Sequence, residues 1–460
     1  MELKPLFDHI VDAIHEKDGA GDGIAARDFP DRIRAIPTGW TDIPTPEEVY
    51  RINRPADWLP MPAPADNEMF LLLLVPEGAS SQVAFTVTCS GSYTVETGTV
   101  QDGVFVPSSH TGKNSGQAFE AELAAKDFQT PVTEGRRQVM MRVSGTDIQT
   151  WSPSKYGGKT SSYVWPIVEI RCRLPSGTSV RCGDGDWAYS LNQLRYFSWE
   201  GNNRMTSMLN MFNRCSSLET VLHLDTSQVT DMEAAFMSCY SMEAFPPLDT
   251  SQVTNMKNAF SYCTSIKIFP PLDTGKVTDM GSMFETCYSL RSLPPLDMSQ
   301  AVNAQSMMYL CVSLKHVPNL DTSRVTNVMS MFSGCAALRS VPELDLSRVE
   351  KINKMFMNCY SLTEIPRLKV GGSSIDTSSA FSNTYSLNRV LLDPTVEGWS
   401  GAALSFKGCS LGHDAIVDLF NSLPVITSGN ILTLTGNPGV SALTAEEKAV
   451  AAGKNWTLTL

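Results

Sequence analysis

The stretch F-S-Y-C-T-S-I-K-I-F-P-P-L-D-T-G-K-V-T-D-M-G-S-M, Phe260 to Met283, is one unit of a pattern that repeats through the middle of the chain. Its cysteine returns every 24 residues, as Cys215, Cys239, Cys263, Cys287, Cys311, Cys335 and Cys359. A constant period of this size marks a solenoid, in which each turn stacks on the one before. The rest of the unit keeps the same register. Phe212, Phe236, Phe260, Phe284, Phe332 and Phe356 precede the cysteines by three, with Met308 in the odd turn. Leu218, Met242, Ile266, Leu290, Leu314, Leu338 and Leu362 follow by three. Two further apolar columns run from Val221 to Ile365 and from Leu224 to Leu368. No single turn can bury these positions alone, whereas stacked turns make one continuous core. With one short parallel strand per turn, roughly nine turns would span on the order of 40 Å.

The cysteines open two readings, packing and chemistry. In register their side chains point the same way, which does not supply the converging Cβ vectors of a disulfide. No C-x-x-C and no histidine at a ligand offset suggests zinc. They read as small buried thiols, and the odd total of eleven cysteines suggests a reducing compartment. The pattern F-x-x-C-x-x-L-x-x-[VIF]-x-x-L-D-T-S-x-V-x-x-M, as in Phe332, Cys335, Leu338, Val341, Leu344 and Val349, resembles the BspA-like class of leucine-rich repeats over roughly residues 191–411. The resemblance implies either a cell-surface adhesin or a phage or prophage tail protein.

The N-terminal segment bears on that choice. Leu3, Leu6, Phe7, Ile10, Val11 and Ile14 share one helical face, Gly19 is a stop, and a second short helix is expected from Pro30 to Ile36. Val11 to Ile36 resembles the start of tail proteins of gut bacteriophages. A segment of this size buries too little to stand alone, so residues 1–36 are expected to attach to a tail or to oligomerise, with docking on the chain's own middle domain as the alternative. Met1-Glu2-Leu3-Lys4-Pro5 is not the start of a secretory signal, and Leu71 to Val75 is too short to span a bilayer. The expected location is therefore a virion tail assembled in host cytoplasm, with a bacterial cell surface as the alternative.

Residues 37–66 hold seven of the prolines, from Pro37 to Pro64, and read as a semi-rigid linker, with Trp58 anchoring it to the next domain. Residues 67–190 read as a β-sandwich of immunoglobulin-like type, with strands at Met69–Val75, Val83–Cys89, Ser92–Thr97, Val104–Val106, Gln138–Ser144 and Val168–Arg173. The solenoid is expected over 191–424, beginning with a degenerate turn and ending in turns stretched to 25 residues around Phe381 and Phe406. A helix is expected from His413 to Leu423. A C-terminal α/β cap over 425–460 comprises strand Ile431–Leu434, a helix opened by the capping box Thr444-Ala-Glu-Glu447 and closed by Gly453, and strand Trp456–Leu460. The cap would hide the open end of the core and its unpaired sheet edge. The whole is an α+β, multidomain chain.

Asp225, Asp249, Asp273, Asp297, Asp321 and Asp345 stack in register, and like charges about 5 Å apart repel by roughly 1 kcal/mol in water. The expected offset is a hydrogen bond from each aspartate's own turn; a bound cation array is the alternative. Gly183-Asp184-Gly185-Asp186-Trp187 lacks the twelve-residue spacing and final Glu of an EF-hand and reads as a turn, with calcium as the minority reading. No metal or cofactor is expected.

Recognition should use the positions that vary while the core columns do not. These are Glu219, Glu243, Lys267, Arg291, Lys315 and Arg339, with His316, Glu343, Glu364 and Arg367 beside them. Prolines such as Pro246 and Pro270 in the neighbouring position keep the strand short. Tyr240, Tyr262, Tyr288, Tyr309 and Tyr360 lie beside the cysteines and read as half-buried packing rather than as stacking platforms. Six scattered histidines and the lack of H-E-x-x-H, G-x-S-x-G, P-loop or G-x-G-x-x-G argue against an enzyme. A net charge of −12 with no basic stripe argues against nucleic acid. The expected partners are a host cell-surface protein or glycan and other tail proteins. A homo-oligomer is expected, a trimer among the options, without membrane insertion. A purely structural tail or baseplate component is the third reading.

Overall fold

A computed structural model describes residues 50–51, 53–154, 166–175, 177–183, 190–201, 204–243, 245–267, 269–370, 376–395, 403–426 and 430–460. The expected helical segment 1–36 lies outside them, as do residues 184–187 of the acidic turn. The described chain is mostly β, and the repeats form a β-solenoid of about ten turns. Two compact units emerge from the contacts: Pro44–Gln252 with Tyr262–Thr264, and Val253–Ser261 with Ser265–Leu460.

In the first unit the strands are β1 (Glu68–Pro76), β2 (Ser80–Thr88), β3 (Ser92–Gln101), β4 (Val104–Pro107), β5 (Thr111–Asn114), β6 (Ala118–Ala124), β7 (Val132–Thr133), β8 (Arg136–Gly145), β9 (Thr150–Pro153), β10 (Ile167–Arg173), β11 (Ser179–Val180), β12 (Tyr196–Trp199) and β13 (Thr220–Leu222). All six strands expected from the sequence are among them. One sheet runs β13-β12-β10-β1-β8-β3-β4 and a smaller one β11-β9-β2-β6. Strand β1 lies between β8 and β10. Both of its faces are covered, so Met69 to Val75 is a continuous apolar run rather than an alternation.

The two sheets are not the all-antiparallel pair expected of an immunoglobulin-like sandwich: β11 pairs β9 in parallel, and the larger sheet turns parallel at one edge. There β10, β12 and β13 pair in parallel, Ile170 with Phe197 and Phe197 with Val221. The physical reason is the repeat: each of its rungs must run the same way, so a sheet that continues into repeats must change from antiparallel to parallel pairing. Strands from both sides of residue 190 thus share one sheet.

The linker is docked, as Trp58 suggested. Arg54 Nε donates to Glu169 Oε2 at 2.8 Å, and Leu59 N–H donates to Gln138 Oε1 at 2.6 Å. Gln138 Nε2 returns a bond to the carbonyl of Asp57 at 2.8 Å. Trp58 is buried, meets Tyr196 edge-on at 5.8 Å, and has the Arg54 and Arg195 guanidinium groups over its ring. Burial pushes the Glu169 carboxyl up, against the pull of Arg54 and the hydrogen bond from Tyr50.

The second unit is built from repeats. Its strands are β14 (Leu344–Leu346), β15 (Glu364–Val370), β16 (Arg389–Leu392), β17 (Ala403–Ser405), β18 (Asn430–Thr433) and β19 (Trp456–Thr459), with helices α1 (His413–Ser422) and α2 (Ala445–Gly453). Apart from helical Tyr50, Arg51 and Asn53, these are the α-helices among the described residues, so the α+β expectation overstates the helix there. The strand expected in every turn is absent where Pro270-Pro271 and Pro294-Pro295 stand, because neither proline has an N–H to give the ladder. The regular turn-to-turn bridges lie instead at the V-T-x-M corner: Asn255 with Asp279, Asp279 with Asn303, Asn303 with Asn327, Asn327 with Lys351.

From this corner the backbone alternates its bonding. Met280, Ser282, Phe284 and Thr286 donate to Asn303, Gln305, Met307 and Tyr309 of the next turn, at 2.7–2.9 Å. Met283, Glu285 and Cys287 donate three residues back, within their own turn. Two left-handed residues flank each Phe, or Met308 in its place, and make this alternation feasible: Asn258 and Tyr262, Ser282 and Thr286, Ser306 and Leu310, Ser330 and Gly334, Lys354 and Asn358. Only one of these ten is glycine, so the repeat holds non-glycine residues where φ lies near +55° to +65° against a local steric cost.

The C-terminal elements appear where expected. The capping box is formed: Glu447 N–H donates to Thr444 Oγ1 at 3.2 Å, and Thr444 N–H to Glu447 Oε2 at 2.8 Å. Strands β17, β18 and β19 pair in parallel through Leu404, Leu432 and Leu458. The C-terminal region thus adds rungs of its own. Strand β19 ends this sheet with no strand on its far side among the described residues, so the sheet edge expected to be hidden is moved to β19 rather than covered.

Candidate recognition surface

The columns divide into those the core consumes and those the surface keeps. The cysteine column belongs to the core: all eleven cysteines are buried and unbridged. The ladder thiols also donate across the rungs. Cys239 and Cys263 Sγ donate to the carbonyls of Phe212 and Phe236, each at 3.2 Å. Cys287, Cys311, Cys335 and Cys359 do the same to Phe260, Phe284, Met308 and Phe332 at 3.1–3.2 Å. Burial pushes the Cys311 and Cys359 thiols up to about 12, so they are inert. The Phe column beside them stacks ring on ring, Phe332 on Phe356 at 5.5 Å and Phe356 on Phe381 at 5.7 Å.

The aspartate ladder has the offset its own turns were expected to supply. The N–H groups of Ser227, Ser251, Gly275, Ser299, Ser323 and Ser347 donate to Oδ1 of Asp225, Asp249, Asp273, Asp297, Asp321 and Asp345 at 2.9–3.1 Å. A second ladder escaped the sequence reading because its members mix Asp with Asn. Asp231, Asn255, Asp279, Asn303 and Asn327 each accept from the N–H two residues on, at 2.8–3.1 Å. Among the described residues no group of three or more His, Cys, Asp or Glu could hold a metal ion.

In the first unit, Glu219 is half-buried and tied down. Arg195 Nε donates to it at 2.8 Å and the Tyr196 hydroxyl at 2.9 Å, so it braces the first turns rather than facing a partner. Glu243 is exposed.

In the second unit the variable positions form a straight cationic row. Lys267 is half-buried, while Arg291, Lys315 and Arg339 are exposed. The row is fixed by backbone bonds: Arg291 N–H to Lys267 O at 3.0 Å, Lys315 to Arg291 at 3.3 Å, Arg339 to Lys315 at 3.2 Å. Thr363 and Asn388 continue it without charge, at 2.9 Å each. His316, Glu343, Glu364 and Arg367 are exposed beside it, with Glu364 bridged to Ser340.

Three residues before Arg291, Lys315, Thr363 and Asn388 stand exposed side chains of a second column, which is half-buried at Thr264 and Ala336. Tyr288, Tyr360 and Tyr385 are 43%, 47% and 54% accessible, and Val312 is exposed between them. Tyr360 and Tyr385 lie parallel at 6.2 Å. The packing expected of the tyrosines thus holds for half-buried Tyr262 and Tyr309, which precede their cysteines, and fails for those directly after them. The offset from the cysteine was the signal: the residue after a buried thiol points outward.

Residues 206–317 and 296–393 match the model of a family described as "Mycoplasma protein of unknown function, DUF285". This match fits a BspA-like leucine-rich-repeat solenoid. No curated protein matches the chain. Among solved structures, the TLR13–ssRNA13 complex is 13% identical over 58% of this chain and 46% of that one, with a TM-score of 0.24. The Toll–Spatzle complex of Drosophila is 14% identical over 58% of this chain and 53% of that one, with a TM-score of 0.20. The chain spans about half the length of these structures.

Proposed function

We propose that the protein recognises a cell surface through the exposed columns of its solenoid. The observation that supports this is the division of each repeat. Core and turn positions are held by burial and backbone bonding, while the positions after the Leu column carry Lys267, Arg291, Lys315, Arg339 and Thr363 at the same place in successive turns. A stacked array offers such a row to an extended partner.

In this reading the two-sheet domain is a spacer. Residues 1–36 attach the protein to a phage or prophage tail, as their resemblance to tail proteins suggests. The family match favours a second reading, a BspA-like surface protein of a bacterium. Both readings require the full chain to adsorb to cells. Fluorescently labelled protein should bind a host panel, and a variant neutralised at Arg291, Lys315 and Arg339 should bind less; failure to adsorb to any host would overturn the recognition role. Deleting residues 1–36 should strip the protein from tail particles while its thermal unfolding is unchanged. Particles that still carry the truncated chain would leave only the bacterial reading.

A further inference from the structure

We infer that the row Lys267, Arg291, Lys315 and Arg339, with the exposed apolar column beside it, binds a linear anionic polysaccharide lying along the stacking direction. The inference rests on the recognition role proposed above and names the ligand. Three observations carry it. First, the four cations stand on successive rungs joined by backbone bonds, so the charges repeat at the strand spacing of about 4.8 Å and span roughly 14 Å. A polymer with acidic groups at regular intervals meets such a row; a folded protein with scattered charges does not. Second, the chain carries a net charge of −12, so four cations in one line are a local reversal of the overall field. Third, exposed Tyr288 and Val312 stand three residues before Arg291 and Lys315, no more than about 11 Å away along the chain, and exposed Tyr360 and Tyr385 continue their column beside Thr363 and Asn388, past the end of the cations. A sugar ring has apolar C–H faces and polar edges. It can stack on a tyrosine ring while its carboxylate or sulfate reaches the cation row. The row ends where Thr363 and Asn388 replace the cations and Glu364 is exposed, which limits the site to a short run of sugars.

The test uses the full chain, with polygalacturonate as the carboxylated probe, dextran sulfate as the sulfated one, and neutral dextran and a thymidine oligonucleotide as comparisons. Binding is measured by isothermal titration at low and high salt. At least one acidic polysaccharide should bind, more weakly at high salt, and neutral dextran should not. K267Q/R291Q/K315Q/R339Q should weaken binding by about tenfold or more, and Tyr288→Ala by roughly threefold to tenfold. A control variant neutralised at Lys276, Arg324, Arg348 and Lys351 removes as much charge elsewhere and should bind as the parent does. The milder pair K315Q/R339Q serves if the fourfold variant fails to fold. Equal loss in the control, equal binding of neutral dextran, tighter binding of the oligonucleotide, or no binding of either acidic polymer would overturn the inference. If the parent adsorbs to cells but no acidic polysaccharide binds or competes, the ligand is wrong and the recognition role stands. If the polysaccharide binds but no cells are adsorbed, the ligand chemistry stands and the recognition role falls.

Discussion

The cysteine ladder makes a quantitative prediction about reactivity. Cys311 is fully buried, and its thiol donates to Phe284 O at 3.1 Å, an oxygen that also accepts the Cys287 N–H at 3.2 Å. A thiolate there would lose its donor and face a carbonyl oxygen in an apolar core. With the thiol pushed up to about 12 from its ordinary 9.0, the thiolate fraction at a buffer pH of about 8 is ~10⁻⁴ rather than ~10⁻¹. Alkylation needs the thiolate, so labelling should be about 1,000-fold slower before access is considered. Iodoacetamide treatment followed by peptide mass spectrometry is the assay. None of the seven ladder cysteines should label in the native protein, and all should label in denaturant. Cys311→Ala should lower stability by about 1–2 kcal/mol through the lost sulfur contacts and residual cavity, and speed labelling of the neighbouring ladder thiols. Labelling of any ladder cysteine in the native protein at a rate near that of free cysteine would refute the picture of a closed, hydrogen-bonded thiol column.

Four other outcomes are expected. A methyl group on Gly334 would come within 2.6 Å of Leu310 Cδ2, at a φ of +80°. Gly334→Ala should therefore cost about 1–2 kcal/mol in a denaturant melt, and less in a Leu310→Ala background. Arg54→Ala leaves the buried Glu169 carboxylate without its 2.8 Å partner; it should destabilise the protein by about 3 kcal/mol and expose residues 50–64 to limited proteolysis. Hydrogen bonds from Ser227, Ser378 and Thr395 hold Asp225, Asp376 and Asp393 below the ordinary 3.8. As pH falls the unfolded chain takes up these protons first, so their stabilisation is complete above 3.8 and is lost as pH drops through the lower folded values; acid melts monitored by circular dichroism should steepen there and not at pH 5–6. Thr444→Ala removes the acceptor of the capping box and should cost about 1 kcal/mol, seen as faster amide exchange over Ala445–Gly453.

Much of the fold was legible because repetition exposes it. A column that returns every 24 residues identifies core positions without any alignment, and the apolar columns so read are buried through most turns. Strands β1, β2, β3, β4, β8 and β10 and the capping box were legible from local apolar runs, alternation and spacing. Strands β5, β6 and β9 were not. Thr111–Asn114 is short and polar, Thr150–Pro153 is four residues with one large apolar side chain, Trp151, and Ala118–Ala124 carries Glu120 and Glu122 between Phe119 and Leu123. Their pairing partners, rather than their own composition, make them strands. The candidate surface was half legible. The sequence placed Lys267, Arg291, Lys315 and Arg339 in one column, but it treated Glu219 as part of the same face, and only the bond from Arg195 shows it to be a brace.

The sequence alone determined the period, and with it the register, the buried columns and the outward-facing ones, since all of these depend on which residue types recur at a fixed interval. Only the tertiary structure decided how the turns hold together. The paired left-handed residues around each Phe or Met308, the alternation of bonds within and between turns, and the thiols donating to carbonyls 27 residues back all depend on a neighbouring turn being in place. Serine, asparagine, lysine and leucine all occupy the left-handed positions, so no residue type announces them. The backbone adopts that conformation because the next turn supplies the acceptors that reward it.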